Sequence, residues 1–365
     1  MSDKLKFGII GCGAIANIKH MPALKSFSGK LEMTAFCDIE LERAEKTKSE
    51  FGGSDAKIYE NYQELLKDKS IDVVHVCTPN NSHSEITVAA LRAGKHVLCE
   101  KPMAINPEEA KRMLDAAKET GKLLTIGYQN RYREDVQFLH DACEAGRLGG
   151  IYFAKAHAIR RRAVPTWGVF LDKEKQGGGP LIDIGTHALD ISLWMMNNYE
   201  VDSVTGSVFH KLNNKPLANR PIPFDPAKFQ VEDSAFAFIR MKNGASIFLE
   251  ASWALNTTDE REAMCTLYGT EAGATMRGST MKGTSNTYIN GEDFGKLYEL
   301  ELQAGNDIPF FAGMKEDPNR AEVRHWLDAV LAGKELVVKP EQAYQVTCIL
   351  DAVYRSADTG KTVYF

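Results

Sequence analysis

The stretch KFGIIGCGAIA, residues 6–16, decides the fold of the first part of the chain. Residues 6–10 form a short apolar run that is typical of a buried β-strand. Gly11-Cys12-Gly13-Ala14-Ile15-Ala16 follows at once as a G-x-G-x-x-A pattern, after which a helix can begin. A match of this kind also occurs in ordinary β-turns, so the sequence that follows it decides between the two interpretations.

An acidic residue stands where a dinucleotide site needs one. A second apolar run, residues 31–37, ends at Asp38, which lies 25 residues after Gly13. This position suits hydrogen bonds to the adenosine ribose, while the N–H groups at the helix start suit the pyrophosphate. Ile39 and Glu40 follow Asp38, with no adjacent Arg or Ser to receive a 2′-phosphate. We therefore predict NAD as the cofactor and regard NADP as the weaker alternative.

Strand-like and helix-like segments alternate up to residue 127. Strands are predicted at 71–77, 95–99 and 122–127, and helices at 84–93 and from the capping Asn106 to Gly121. Alternation of this kind indicates a doubly wound parallel sheet of the Rossmann type, an α/β fold. We predict that residues 1–127 form this domain.

The remaining residues, 128–365, predict an α+β domain with a large, open-faced and mostly antiparallel sheet. Lys242-Asn243-Gly244 is a strong hairpin signal, and Asn290-Gly291 predicts a second turn. Two helices are expected near the end, at 320–331 and 341–358, and the C-terminal helix can pack back on the first domain. The proline-rich loop 213–230 is either a lid or an ordered surface loop.

Composition limits the classes of partner. The formal net charge is −5, which gives no basic surface for nucleic acid or acidic lipid. The seven cysteines form no C-x-x-C pair, so we expect reduced thiols and no metal site. No signal peptide or membrane-spanning run is evident, and we expect a cytoplasmic protein.

Two short motifs carry candidate catalytic groups. Residues 177–190 read GGGPLIDIGTHALD and place Asp183, His187 and Asp190 on one side of a predicted buried helix at 181–196. A carboxylate one turn from a histidine is either an acid–base pair or a structural cap beside a satisfied ring. Lys101, in Cys99-Glu100-Lys101-Pro102, follows a strand at the sheet edge where ligands of such folds bind. We hypothesise that the two motifs converge on one cleft.

The motifs together resemble a known family. In chain order these are G-x-G-x-x-A, Asp38, Thr78-Pro79-Asn80-x-x-His83, Glu100-Lys101-Pro102, Asp183-x-x-x-His187 and Ser356-Ala357-x-Thr359-Gly360. The set is similar to the glucose–fructose oxidoreductase/inositol dehydrogenase (Gfo/Idh/MocA) family over essentially the whole chain. The resemblance implies a Rossmann domain and a second domain whose open sheet mediates dimers or tetramers.

The resemblance also implies roles for particular residues. Lys101 matches the active-site lysine, and Asp183 and His187 match the catalytic pair. Residues matching cofactor-side positions are Gly11, Gly13, Ala14, Ile15, Ala16, Asp38, Thr78, Pro79, Asn80, His83, Glu100 and Lys101. His83 is equally well explained as a helix-start residue, and Asp190 has no catalytic counterpart.

The substrate is predicted to be a hexose, glycoside or cyclic polyol oxidised at a ring hydroxyl. Arg161 and Trp167 are candidate substrate contacts, because arginine can bind hydroxyls or anions and tryptophan can stack on a sugar face. A solvated basic edge and a core tryptophan are the alternatives. Two other functions remain open: a redox-neutral glycosidase that uses NAD, and a non-catalytic sugar-sensing regulator on the same fold.

Overall fold

A computed structural model of the protein describes residues 4–219, 222–278, 286–302 and 316–365. The chain forms two compact units, Met1–Tyr132 with Glu316–Tyr344, and Arg133–Lys315 with Gln345–Phe365. The boundary that we predict at residues 127/128 stays a prediction.

The first unit contains a six-stranded sheet in the order β3-β2-β1-β4-β5-β6, and every neighbouring pair is parallel. The strand order reverses between β1 and β4, which makes a topological switch point. The strands are β1 (Leu5–Ile10), β2 (Leu31–Cys37), β3 (Lys57–Tyr59), β4 (Val73–Val76), β5 (His96–Cys99) and β6 (Leu124–Ile126). The predicted doubly wound parallel sheet is confirmed.

Helices connect these strands, and a helical segment from near the end of the chain also belongs to this unit. Val323, Trp326 and Leu327 of α9 belong to the same hydrophobic core as Phe7 and Phe36 of the sheet. The helices are α1 (Met21–Lys25), α2 (Leu41–Phe51), α3 (Tyr62–Lys67), α4 (His83–Arg92), α5 (Pro107–Thr120) and α9 (Pro318–Ala332), and α10 (Pro340–Thr359) begins here. The C-terminal segment is therefore part of the first unit's core.

The helix after the glycine turn begins with a π-helical segment, Ala16–His20. The N–H of Met21 donates to the carbonyl of Ala16, five residues back. Pro22 has no N–H with which to continue a four-residue ladder. A π segment of this kind often occurs beside a functional site.

The second unit contains a nine-stranded sheet in the order β14-β13-β12-β11-β7-β10-β9-β8-β15. Only the β7–β10 pair is parallel among its described pairs. The strands are β7 (Phe153–Ile159), β8 (Val201–Phe209), β9 (Ser234–Met241), β10 (Ser246–Ser252), β11 (Arg261–Tyr268), β12 (Ala272–Arg277), β13 (Asn286–Asp293), β14 (Lys296–Glu301) and β15 (Val363–Tyr364). The predicted large, mostly antiparallel sheet is confirmed.

One face of this sheet is covered by helix α8 (Thr186–Met196), which packs on β7 and β11 and against α6 (Glu134–Glu144). Side chains that point to the other face include Phe238, which is 44% exposed. The helices of this unit are α6 (Glu134–Glu144), α7 (Lys173–Gln176), α8 (Thr186–Met196) and most of α10.

One predicted hairpin turn is confirmed and the other is wrong. Gly244 closes the β9–β10 hairpin with a φ of +89°. Asn290 and Gly291 instead lie inside β13, and the turn falls at Phe294-Gly295, where both φ angles are positive. Gly291 serves packing, because a Cβ there would lie 2.6 Å from the Tyr298 hydroxyl.

The proline-rich loop is attached at both described ends. The Asn219 side chain donates to the Val164 carbonyl at 2.7 Å, and the Gln230 N–H donates to the Leu171 carbonyl at 3.0 Å. Arg220 and Pro221, within the predicted loop 213–230, lie outside the described residues.

No helix in the described part of the chain combines the length and apolar character needed to cross a membrane.

Gly11 and Gly13 should respond very differently to alanine. Gly11 has a φ of +91°, and a Cβ there would lie 2.6 Å from the Cys77 carbonyl oxygen, whereas a Cβ on Gly13 would meet nothing within 4 Å. We expect Gly11→Ala to cost about 2–4 kcal/mol of unfolding free energy and Gly13→Ala less than about 1 kcal/mol. Thermal and denaturant unfolding measure both, and equal stabilities would contradict this account of the turn.

Candidate functional site

The predicted cofactor residues lie at the carboxyl edge of the parallel sheet. Gly11 follows β1, Asp38 follows β2, Thr78 lies two residues beyond β4 and Glu100 follows β5. Ligands of open parallel sheets bind at this edge, beside the strands where the order reverses. The first unit therefore places these four residues at one edge of the sheet, and their role in cofactor binding stays a prediction.

Asp38 is fixed by main-chain donors. Its Oδ2 accepts a hydrogen bond from the Cys12 N–H at 2.8 Å, and its Oδ1 accepts one from the Glu40 N–H at 2.9 Å. Each carboxylate oxygen keeps a second lone pair for a hydroxyl donor. The acid is thus oriented in advance, as a ribose-binding group requires.

The glycine turn leaves room for a phosphate. The position of a Cβ on Gly13 is open, and Ala14 and Ile15 are exposed. Ala16 is fully buried in the core instead, where it supports the turn from behind. Open backbone beside a helix start fits the pyrophosphate of a dinucleotide.

His83 links two loops of this edge. Its Nδ1 lies 2.8 Å from the Pro102 carbonyl and its Nε2 lies 2.9 Å from the Thr78 carbonyl. The ring is fully buried, and burial lowers its pKa. His83 is also the first residue of α4, so the helix-start interpretation fits its position. Pro79 and Asn80 lie between these anchors, and Asn80 is buried.

Glu100 belongs to a buried polar network that sequence reasoning missed. Its Oε1 accepts from Lys19 Nζ at 2.7 Å and lies 2.8 Å from His20 Nε2. Lys19 also pairs with Glu322 at 3.0 Å, and His20 Nδ1 lies 3.0 Å from His75 Nδ1. The only signal in the sequence was a Lys-His pair within the helical segment that follows the glycine turn.

Lys101 is half-buried and follows this network directly. Its backbone N–H donates to Oε2 of Glu100 at 3.1 Å, and the Lys101–Pro102 peptide bond is cis. The main chain at Lys101 is therefore tied to the buried carboxylate that precedes it.

In the second unit, three successive glycines each meet a different requirement. Gly177 has a φ of +84° and ends α7. A Cβ on Gly178 would overlap the Tyr354 hydroxyl, and a Cβ on Gly179 would overlap the Glu232 carbonyl. The glycine-rich turn therefore lets two neighbouring segments pack directly against the main chain.

Glu232 fixes the start of the helical segment that follows. Its carboxylate accepts from the N–H groups of Gly179 at 2.9 Å and Leu181 at 3.2 Å, and from the Tyr354 hydroxyl at 2.8 Å. Burial raises the pKa of Glu232. This anchoring acid is also absent from the sequence-based prediction, because it lies 51 residues beyond Leu181.

The predicted single helix at 181–196 is helical throughout but not uniform. Leu181–Gly185 forms a π turn, and α8 begins at Thr186. Since a π turn holds more residues than an α turn, Asp183 and His187 do not have the simple α-helical offset that we predict. Both residues are 6% exposed, and Asp190 is fully buried.

Asp183 is held by groups that the motif did not reveal. Its Oδ2 accepts a hydrogen bond from Trp253 Nε1 at 2.9 Å and lies 4.0 Å from an Arg160 nitrogen. Arg160 in turn makes two hydrogen bonds of 2.6 Å to the Glu262 carboxylate. Trp253 and Arg160 thus orient the carboxylate.

The two predicted substrate residues are both at the surface. Arg161 is exposed, and Trp167 is 58% exposed, with its ring edge-on to Phe170 at 5.8 Å. Phe170 is edge-on to Trp253 at 6.4 Å. A series of aromatic contacts therefore leads from exposed Trp167 to the indole that binds Asp183.

All seven cysteines are free thiols. Among the described residues, no group of three or more His, Cys, Asp or Glu side chains is arranged to hold a metal ion.

Comparison with known proteins gives matches along both units. Residues 5–128 match the family model described as "Oxidoreductase family, NAD-binding Rossmann fold", and residues 141–365 match "Oxidoreductase family, C-terminal alpha/beta domain". These are the two parts of the Gfo/Idh/MocA family.

Named relatives are similar over much or all of their length. D-glucoside 3-dehydrogenase of Escherichia coli (strain K12) is 35% identical over 99% of this chain and 98% of its own. Myo-inositol 2-dehydrogenase of Thermotoga maritima is 30% identical over 66% of each chain.

Solved structures share the fold. Levoglucosan dehydrogenase in complex with NADH and levoglucosan superposes with a TM-score of 0.85 at 22% identity, covering 99% of each chain. Because its cofactor edge, its two sheets and its sequence over both domains all match, the protein belongs to the Gfo/Idh/MocA family of oxidoreductases, and its first domain is an NAD-binding Rossmann fold.

Proposed function

We propose that the protein transfers hydride between a secondary ring hydroxyl of a sugar, glycoside or cyclic polyol and the nicotinamide of NAD. The observation that carries this proposal is Asp183, a buried carboxylate held by Trp253 one π turn before His187. A constrained carboxylate four residues before a histidine, in the same helical segment, suits proton transfer. Lys101, which follows β5 at the ligand-binding edge, supplies the cation that such a reaction needs.

Two residues of the chain act on the substrate hydroxyl, one on its proton and one on its oxygen. His187 removes the hydroxyl proton of the substrate as a general base. Lys101 donates a hydrogen bond to the same oxygen and stabilises the negative charge that develops on it. NAD, when bound, accepts the hydride.

Asp183 is assigned the task of orienting His187 and favouring its protonated form during the reaction. Its own orientation comes from Trp253 and from Arg160, which Glu262 holds in place. Asp190 is fully buried in the same helix, and we propose for it a structural role.

The cofactor residues divide into two groups by exposure and contacts. We propose that Gly11, Gly13, Ala14 and Ile15 admit the pyrophosphate, and that Asp38 binds the ribose. Thr78, Pro79 and Asn80 line the same edge. Ala16, His83 and Glu100 are buried and support it from within.

The substrate class rests on the relatives and on Trp167. The similar proteins are named for a glucoside, an inositol and levoglucosan, all ring compounds with several hydroxyl groups. We propose that exposed Trp167 stacks on the ring face and that Arg161 binds a polar group of the substrate. We expect Trp167→Ala to raise the KM for the sugar without changing the affinity for NAD, and an unchanged KM would rule out stacking.

A spectrophotometric screen at 340 nm tests the reaction itself. Purified protein receives NAD⁺ or NADP⁺ with hexoses, glycosides, inositols and sugar acids in turn. NADH formation with one subset identifies the substrate class. Glycosidic cleavage without net NADH would indicate the redox-neutral glycosidase instead, and sugar binding without turnover would indicate the regulator.

Removal of the catalytic groups should slow turnover strongly, and in His187→Asn it should leave cofactor binding unchanged. We expect Lys101→Met and His187→Asn each to lower kcat by about 10²–10⁴-fold, the range for losing an oxyanion donor or a general base. Lys118→Met, at a lysine that is 61% exposed, is the control for loss of a positive charge. Full activity in either catalytic variant would refute the assignment.

The hydrogen bond to Asp183 can be tested with two tryptophans. Trp253→Phe keeps an aromatic ring but removes the N–H donor, and we expect kcat/KM to fall about ten- to a hundredfold. Trp326→Phe is the matched control, because Trp326 Nε1 has no hydrogen-bond partner among the residues that the structure describes. Equal effects in the two variants would mean that packing matters and the donor does not.

We also propose that a second copy of the chain covers the open face of the nine-stranded sheet, giving a dimer or tetramer. Phe238→Glu places a charge on that face and should shift the mass measured by light scattering towards the monomer. Phe294→Glu, at a hairpin tip that is 96% exposed, should leave the mass unchanged. A monomeric wild type would rule out this interface.

A further inference from the structure

Five ionisable side chains are buried together beside the Glu100–Lys101 corner. Lys19 and Glu100 are each 5% exposed, Glu322 is 2%, His20 is 1% and His75 is fully buried. Lys19 and His20 come from the segment after the glycine turn, His75 from β4, Glu100 from the end of β5 and Glu322 from α9. Four separate elements of the first unit thus contribute to one buried cluster.

The cluster contains one more acid than it has fixed positive charges. Lys19 Nζ lies 2.7 Å from Glu100 and 3.0 Å from Glu322, so a single ammonium group faces two carboxylates. Burial alone would raise the pKa of Glu100. Lys19 and His20 outweigh burial and hold that pKa well below its usual range. Lys19 and Glu100 are therefore an ionised pair at neutral pH.

Glu322 is the group whose charge can vary. Burial raises its pKa, and the negative charge of Glu100 adds to the effect while Lys19 and His20 oppose it. Burial lowers the pKa of His75, with the charge of His20 acting in the same direction, so His75 stays neutral. The cluster therefore becomes more negative by one unit charge as Glu322 loses its proton.

The cluster is packed closely against the main chain that carries Lys101. Oε2 of Glu100 accepts the Lys101 N–H at 3.1 Å. A Cβ on Gly127, which follows β6, would lie 3.1 Å from Glu100 Oε1 and 3.2 Å from Lys19 Nζ. Since each of the five side chains is at most 5% exposed, the charge of the cluster acts through a medium of low polarity.

We propose that Glu322 sets the charge of this buried cluster and thereby makes the protein favour oxidised NAD over reduced NAD. The nicotinamide ring is a cation in NAD⁺ and neutral in NADH, so a negative charge behind the Lys101 corner stabilises the oxidised form selectively. The inference rests on the proposed function, which assigns this corner to the reacting part of the cofactor. It makes Glu322 a specificity-determining residue that acts through Lys19 and Glu100.

The test is direct binding of NAD⁺ and of NADH, measured by calorimetry without substrate from about pH 5, just above the ordinary pKa of a glutamate, to about pH 8.5. In the wild type, the affinity ratio of NAD⁺ to NADH should rise with pH as Glu322 ionises. In Glu322→Gln the affinity ratio should depend much less on pH. At pH 8.5 it should be about five- to fifteenfold lower than the wild-type ratio. That fold-change corresponds to about 1–1.6 kcal/mol, the size of a single-charge interaction at an effective dielectric constant of about 20.

Two further variants separate charge from packing. Glu322→Asp keeps the charge and should keep the wild-type ratio and its pH dependence, even if the melting temperature falls. Glu335→Gln removes an equal charge from an exposed site in the same C-terminal segment, where the side chain is 77% exposed, and should change nothing.

The outcomes distinguish this inference from the proposed function. If both cofactor forms bind but Glu322→Gln keeps the wild-type ratio at every pH, the inference is wrong and the proposed function stands. If Glu322→Asp loses the ratio as fully as Glu322→Gln does, packing and not charge is responsible, and the inference is again wrong. Failure of the wild type to bind either form would overturn both.

Discussion

The close approach of Gly11 to the main chain of Cys77 is the constraint on which the first domain depends. The turn after β1 passes so near to the residue after β4 that any side chain at Gly11 would collide with that backbone. This contact lies where the strand order reverses, and it leaves the main chain at Gly13 open and Asp38 bound to the Cys12 N–H. The features that suit a dinucleotide thus follow from one tight turn.

The second domain relies on a similar device at Gly177, Gly178 and Gly179. Absence of side chains there lets Tyr354 and Glu232 reach the main chain and fix where the π turn begins. The π turn carries Asp183 to the Trp253 indole, and the helix that continues from it carries His187. In both domains a glycine-rich turn precedes a π segment. The turn therefore fixes the main chain from which the π segment starts.

Much of the secondary structure was predictable from local sequence patterns. The parallel strands, the helix from Pro107 capped by Asn106, and the hairpin closed by Gly244 all have signals within a few residues of each other. The turn at Phe294-Gly295 was missed because Asn-Gly is the stronger turn signal, whereas Gly291 is present to make room for Tyr298. A local sequence pattern cannot show that a residue must be small because a side chain of another strand packs against it.

The supporting contacts of the site could not be predicted for the same reason. Glu322 meets Lys19 across 303 residues of sequence, and Trp253 meets Asp183 across 70. Neither pair has a periodicity or a spacing that marks it, because tertiary packing alone brings the partners together. The motifs indicated which residues are candidates for the chemistry, whereas the structure identifies the groups that hold them.

The most direct test of the central claim follows the transferred hydrogen. A substrate found by the screen is prepared with deuterium at the ring carbon that is oxidised, and the cofactor formed is analysed by NMR. We predict deuterium at C4 of the reduced nicotinamide and a ketone at the labelled ring carbon, with both products absent when His187 is replaced. Conversion of the substrate with no deuterium in the cofactor at any time would show that the protein does not work by hydride transfer from a ring carbon to NAD.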